Sequence, residues 1–162
     1  MCAVDGFEPP LASGVHCSCD LLLVGVHHGR VELDFCLTSF GVPVASTILA
    51  AAIESIVGRD VQRIPLSIMG RDNFEVLNVL RVVPCLDESR TEFLKWTDKD
   101  HRADLAGQYR QVVNLRVKPE AIPGDAHILR IDGWRSALIV SEVLRQEMER
   151  VGARGATFTD AT

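Results

Sequence analysis

His16-Cys17-Ser18-Cys19, followed by His27-His28, gathers imidazole and thiol side chains, the ligand types that tetrahedral zinc prefers. The spacing departs from structural zinc sites, which use Cys-x2-4-Cys pairs where this chain has a Cys-x-Cys step. These residues read as a turn beside an irregular lead-in, and no residue is assigned to a metal. The alternative is a metal-binding regulatory protein or small enzyme built on His16, Cys17, Cys19, His27 and His28. Acyl transfer would need a nucleophile on a strained turn with a histidine base, and the chain has no Gly-x-Ser-x-Gly. Cys36 and Cys85 lie in apolar, strand-like runs, where a thiol behaves as a small buried hydrophobe with a raised pKa.

Asp98-Lys-Asp100-His-Arg-Ala-Asp104 collects carboxylates in the manner of a calcium loop, but Arg102 stands at the third ligand position and Ala103 at the position normally held by Gly. Mixed charge of this kind reads as a solvated surface. Asp125, His127 and Asp132 offer an acid/base set: on a short strand Asp125 and His127 share a face and Asp132 falls on the other. An ordinary hydrogen-bonded histidine is the simpler reading. Phosphate loops and dinucleotide fingerprints are absent from the sequence. The residues thus assign no catalytic group and call for no cofactor, and the chain reads as a non-enzyme.

The elements that position these residues follow from hydrophobic periodicity. Residues 1–19 form an irregular lead-in, and 20–162 a single domain long enough to bury roughly two-thirds of its unfolded surface. Asp20 to Val26 and Val31 to Leu37 flank His27-His-Gly-Arg30 as a hairpin with one wet face. Ser46 caps a helix over about 46–57, stopped by Gly58 and apolar most of the way round, as a core helix is. Val61 to Met69 is a strand whose Pro65 places it at an edge or bulge. Phe74 to Val83 is apolar on both faces, the mark of a central strand. Residues 86–111 are polar connection; Val112 to Lys118 and His127 to Ile131 are short strands. The stripe Trp134, Leu138, Val140, Val143, Leu144, Met148 and Val151 predicts a second helix over about 134–151, with Arg154 to Thr159 a last strand. Strands and helices do not alternate regularly, so the class is α+β: a mostly antiparallel sheet with two main helices packed on it.

Composition narrows the partners. The 47% hydrophobic and 24% charged residues are those of a globular protein. The five cysteines, an odd number, read as reduced thiols. Asp5 and Glu8 stand where a secretory signal would be basic, so the expected address is the cytoplasm. The longest apolar stretch, Val42 to Val57, is interrupted by polar residues and shorter than the ~20 residues a membrane span needs. The net charge of −5 sits entirely in residues 1–58, where six acids face Arg30 alone. The remainder carries 16 acids and 16 bases, so nucleic acid is not an expected partner.

Phe74-Glu-Val-Leu-Asn-Val-Leu-Arg-Val-Val-Pro-Cys-Leu-Asp-Glu-Ser89 resembles the "ilNvl…cLDe..S" signature of immunity protein family 11, known from bacterial polymorphic-toxin systems. Gly107-Gln-Tyr109, His127-Ile-Leu-Arg-Ile-Asp-Gly-Trp134, Leu138-Ile-Val-Ser-Glu142 and Gly155-Ala-Thr-Phe158 are similar to further landmarks of that family, in the same order. Asp34-Phe35 and Gly41-x-Pro-x-x-Ser46 extend the resemblance to about residues 31–159; Leu129 departs from the family's usual aromatic. Within these landmarks Asn78 requires buried hydrogen-bond partners, Trp134 is expected to start the last helix, and Glu142 to pair with an arginine such as Arg130.

The resemblance implies a protein encoded beside a toxin, which it binds and occludes to protect its producer in bacterial competition, with no cofactor. Such toxins often have basic clefts, and electrostatic complementarity speeds association. The acidic first third, through Glu32 and Asp34 on the wet face of the hairpin, is one candidate contact surface. Trp96 with Asp98, Asp100 and Asp104 is the second, because an aromatic among acids suits an interface anchor. A structural subunit or a small-ligand sensor is the remaining alternative.

Overall fold

Phe74, Val76, Leu77 and Val79 are all buried, and the strand that carries them is the middle one of a five-stranded sheet. The chain is seen in a computed structural model that describes residues 11, 13–19, 21–24, 32–38 and 41–162. In order, the elements are β1 (Leu22–Val24), β2 (Phe35–Leu37), β3 (Pro43–Ser46), α1 (Thr47–Val57), β4 (Val61–Ile68), β5 (Arg71–Val79), β6 (Val82–Val83), β7 (Glu92–Lys95), β8 (Tyr109–Val113), β9 (Ile128–Ile131), β10 (Trp134–Val140) and α2 (Glu142–Arg150). They make sheets of order β1-β4-β5-β3-β2, β10-β9-β6 and β7-β8. β1 with β4 and β6 with β9 run parallel, and the other pairings are antiparallel. The fold is α+β and mostly antiparallel. No helix among the described residues is long and apolar enough to cross a membrane.

The two faces of β5 explain the layering. Leu77 and Val79 join Phe35, Ala45 and Val61 beneath α1 and α2, which contribute Leu49, Ile53, Leu144 and Met148. Phe74 and Val76 join Val44, Ile64 and Leu66 on the opposite face, which Leu11 and Cys17 of the lead-in cover. That cover is held by polar groups: the Gln62 side chain exchanges hydrogen bonds with the Cys17 backbone at 2.8 and 2.6 Å, and Asn78 donates to the Val15 carbonyl at 2.8 Å. Asn78, itself fully buried, therefore has hydrogen-bond partners, in the Val15 carbonyl and in Gln62 at 3.0 Å, though neither partner residue is buried. A third core, with Val83, Cys85, Leu129 and Ile131, lies around the second sheet.

α1 begins and ends where the sequence placed it. The Ser46 hydroxyl accepts from the Leu49 N–H, and Gly58 closes the C-terminus at φ +53°. It is less enclosed than its composition implied: Leu49, Ala50, Ile53 and Val57 face the core, whereas Ile48 is 81% exposed. Pro65 lies where, among the described residues, β4 has β5 as its one strand neighbour, just before β1 joins at Leu66 and near a register shift between Leu66 and Ile68. Its missing N–H is tolerated there.

Three expectations are corrected. The stretch 134–151 is not one helix: β10 occupies 134–140, and α2 begins after Ser141, whose hydroxyl accepts from the Leu144 N–H at 3.2 Å. Asp132-Gly133 is a two-residue turn joining β9 to β10, with Gly133 at φ +75°. An Asp-Gly pair between apolar runs is a hairpin signal, and the β-branched pair Ile139-Val140 favours a strand. Trp134 thus starts a strand, packed against the third core. Second, Leu22–Val24 and Phe35–Leu37 do not pair as a hairpin but form opposite edges of the first sheet, each finding an apolar strand within it. Third, 154–159 is not a strand. It runs irregularly along β2, with the Phe35 N–H donating to the Arg154 carbonyl at 3.0 Å.

Arg130 on β9 is fully buried, yet among the described residues no carboxylate pairs with it. Nη1 donates to the Arg135 and Ala137 carbonyls at 3.0 and 3.3 Å, and Nη2 to the Gly41 carbonyl at 2.5 Å. A register shift between Trp134 and Leu138 lies across the first two acceptors. Glu142, its expected partner, instead binds Arg145 on the same helix at 2.5 Å.

Candidate functional site

Among the described residues β7 and β8 form a two-stranded sheet of their own, so this hairpin is an arm with two faces. In its register Glu92 stands opposite Val113 and Leu94 opposite Gln111, on the face away from Phe93 and Lys95. The inner face is braced. The Phe93 and Tyr109 rings meet edge to face at 5.4 Å, and Lys95 Nζ sits 4.9 Å from the Tyr109 ring centre. Glu88 accepts from Tyr109 Oη at 2.5 Å and pairs with Lys95 at 2.7 Å. Burial, and then Glu88, push the Tyr109 phenol far above its ordinary range. The Tyr109 N–H donates to the Gly133 carbonyl at 3.1 Å, and the ring lies 3.2 Å from where a Cβ on Gly133 would sit. Only glycine leaves that contact unstrained. The outer face presents Leu94, 58% exposed, and Val113, 40% exposed.

Trp96 follows β7 directly, and the loop closes on it: its N–H donates to the Gln108 carbonyl and its carbonyl accepts from Gly107, both at 2.9 Å. The half-buried indole carries the Arg110 guanidinium 4.9 Å above its ring and His101 edge-on at 5.2 Å. Asp100 accepts from the Thr97 N–H and hydroxyl, both at 2.8 Å, and from Arg110 at 3.2 Å. Those Thr97 bonds lower the Asp100 pKa. Arg102 binds Asp104 at 2.9 and 2.7 Å and lowers its pKa in turn. Asp98 is exposed and has no partner among the described residues. The structure therefore brings Trp96, Asp98, Asp100 and Asp104 onto one loop, and Leu94 and Val113, which sequence reading passed over, onto the strands beneath it. The acids there do not make an acidic patch. Glu92, Asp98, Asp100 and Asp104 are matched by Lys95, Lys99, Arg102 and Arg110.

Glu32 and Asp34 belong to the edge of the first sheet, apart from this arm. Glu32 pairs with Arg71 and accepts from Asn73 at 3.4 Å. Asp34 accepts from the Arg154 side chain at 2.9 Å and its N–H at 3.2 Å, and that guanidinium lowers its pKa. Both carboxylates have intramolecular partners, and Asp34 clips the C-terminal segment to β2.

The remaining chemical candidates are dispersed. Among the described residues no three His, Cys, Asp or Glu converge to hold a metal ion. His16 is exposed; Cys17 is paired with Cys19 as a disulfide, where reduced thiols were expected; His27 and His28 lie outside the described residues. Burial raises the Cys85 thiol. Asp125 and His127 do not meet, because Asp125 pairs with Arg81 at 2.9 Å while His127 Nδ1 lies 2.9 Å from the Ser141 hydroxyl.

Set against known proteins, the model of an immunity protein family (Imm11) matches residues 69–162, from β5 through the hairpin arm to the C-terminal segment. Glu32 and Asp34 fall outside the match, as do the landmarks at 34–35 and 41–46. No curated protein matches the chain.

Proposed function

Because this chain belongs to the immunity protein family (Imm11), we propose that it binds a cognate bacterial toxin and neutralises it by occlusion in the cytoplasm of the producing cell, without catalysing a reaction. The toxin belongs, on this reading, to a polymorphic-toxin system in which toxin and immunity protein are encoded side by side. Membership in the family carries the proposal, and the hairpin arm within the matched region gives it a surface.

Leu94 and Val113 supply an exposed apolar strip, and Trp96 a large ring already held by Arg110 and His101. A ring ordered before binding loses little rotamer freedom on association, which favours it as an anchor. Asp98 is the loop's available acid for a basic toxin, while Asp100 and Asp104 shape the loop through Thr97 and Arg102. Glu32 and Asp34 are the secondary contact surface, acting through what remains of their field beyond Arg71 and Arg154.

The test is titration calorimetry of the purified chain against the toxin domain encoded by the neighbouring gene. A one-to-one complex is expected, with Leu94→Asp plus Val113→Asp weakening it at least about 100-fold and Trp96→Ala by about 2 kcal/mol or more. Full affinity in all these variants would remove the arm from the interface; absence of a complex would remove the function.

A further inference from the structure

Among the described residues the second sheet ends on β10, with no strand along its outer edge. Arg130 donates its backbone N–H to the Arg81 carbonyl at 2.9 Å, and Asp132 to that of Val83, so on β9 these residues face β6. In an antiparallel pair, facing residues alternate between bonding each other and pointing apart. Leu138, opposite Arg130, and Val140, opposite Ile128, therefore direct their N–H and C=O groups away from β9. None of these four groups has a partner among the described residues.

This edge forms one wall of a groove of about 780 Å³. The opposite wall is the C-terminal segment 157–162, held off by the Val117 N–H donating to the Ala161 carbonyl at 2.7 Å. Leu129, Ala126 and Ile122 line the groove between these walls. Its charged lining residues are Glu142, Arg145 and Asp160, and Arg145 is already taken up by Glu142 and Glu149. The Asp160 carboxylate accepts from Thr162, and the Arg116 guanidinium, which donates to the Asp160 carbonyl at 2.8 Å, stands beside it.

We propose that the groove takes an extended segment of the toxin as an added strand on β10, its alternate side chains apolar toward the half-buried Ile122 and Ile139. The backbone selects this occupant. Two donors and two acceptors in strand register are satisfied by another strand, whereas a helix, whose own groups are already bonded, leaves them unpaired. The inference rests on the toxin-binding reading and adds a surface distinct from the hairpin arm.

Amide hydrogen exchange, read residue by residue on the full chain alone and with the neighbouring gene's toxin domain, tests it. In the free chain Leu138 and Val140 exchange fast, and the complex slows them at least about tenfold. Thr159→Arg, an exposed wall residue whose change leaves the urea midpoint unaltered, weakens the complex at least about tenfold, equivalent to about 1.4 kcal/mol. A complex that leaves both amides unprotected overturns the groove and leaves the immunity function standing; no complex overturns both. Protection already present in the free chain overturns the proposal too, assigning the edge to a second copy if it fades on dilution and to the chain itself if it does not.

Discussion

Replacing Arg130 with leucine should destabilise the fold by about 3 kcal/mol, a balance of two opposing effects. The guanidinium binds three carbonyls, those of Arg135, Ala137 and Gly41, and leucine takes this donor from each. A hydrogen bond to a charged group contributes roughly 2 kcal/mol, so three contribute roughly 6. Against this, the wild type holds a buried cation with no counter-charge among the described residues, and burial pushes its pKa down to about 10. That shift from the ordinary arginine value corresponds to roughly 3 kcal/mol of desolvation, which leucine relieves. Urea unfolding followed by tryptophan fluorescence is the assay. With a slope of about 2 kcal/mol/M, the midpoint should fall by about 1.5 M. Arg130→Lys should fall nearly as far, because one ammonium cannot reproduce the planar fork that spans the β10 bulge and Gly41. An unchanged or higher midpoint in Arg130→Leu would refute the reasoning, since the charge would then outweigh the carbonyls. Full stability in the lysine variant would show that geometry plays no part.

Leu144→Ala removes a fully buried anchor of the nine-residue α2 and should cost about 3 kcal/mol, while Ile48→Ala on the exposed side of α1 should stay within about 0.5 kcal/mol; thermal unfolding compares them. Gly155 has φ +102°, and a Cβ there would lie 2.1 Å from the Phe35 carbonyl oxygen, so Gly155→Ala should strip the C-terminal segment from β2, read as faster exchange of the Phe35 amide. The Ser89 hydroxyl and the Arg90 guanidinium hold the Asp87 carboxyl down to about 2. Its folded pKa is depressed, so its contribution is present above an ordinary carboxylate pKa of about 3.9 and is lost as pH falls from there towards 2. Asp87→Asn should therefore lower the urea midpoint at pH 6 and leave a shallower decline across that window.

Residues whose local signals agree were legible before any coordinates. Phe74, Val76, Leu77 and Val79 announced a strand buried on both faces, although the strand expected to run to Val83 ends at Val79 and Val82–Val83 join the second sheet; Ser46 with Gly58 bracketed α1. Trp134 to Val151 misled because apolar residues at 134, 138 and 140 satisfy a helical stripe and a bulged strand alike, and the Asp132-Gly133 turn decides between them. The separation of β1 from β2 was out of reach of local pattern, since β1 joins β4 far along the chain while β2 turns back on the following β3. On the candidate site, the sequence located Trp96 and its acids on one polar connection. It did not reveal that Arg102, Arg110 and Thr97 occupy two of those acids, or that Leu94 and Val113 lie exposed together. The groove was invisible for a simpler reason. Its defining groups are backbone atoms of β10, which no side-chain pattern encodes.

The central claim is that this chain inhibits by binding. The direct measurement is the activity of the neighbouring gene's toxin domain titrated with the purified chain. The account predicts activity falling linearly to near zero at one equivalent, with the chain recovered unchanged in the complex. Activity undiminished at several equivalents, or a substoichiometric amount of chain silencing the toxin by modifying it, would contradict it.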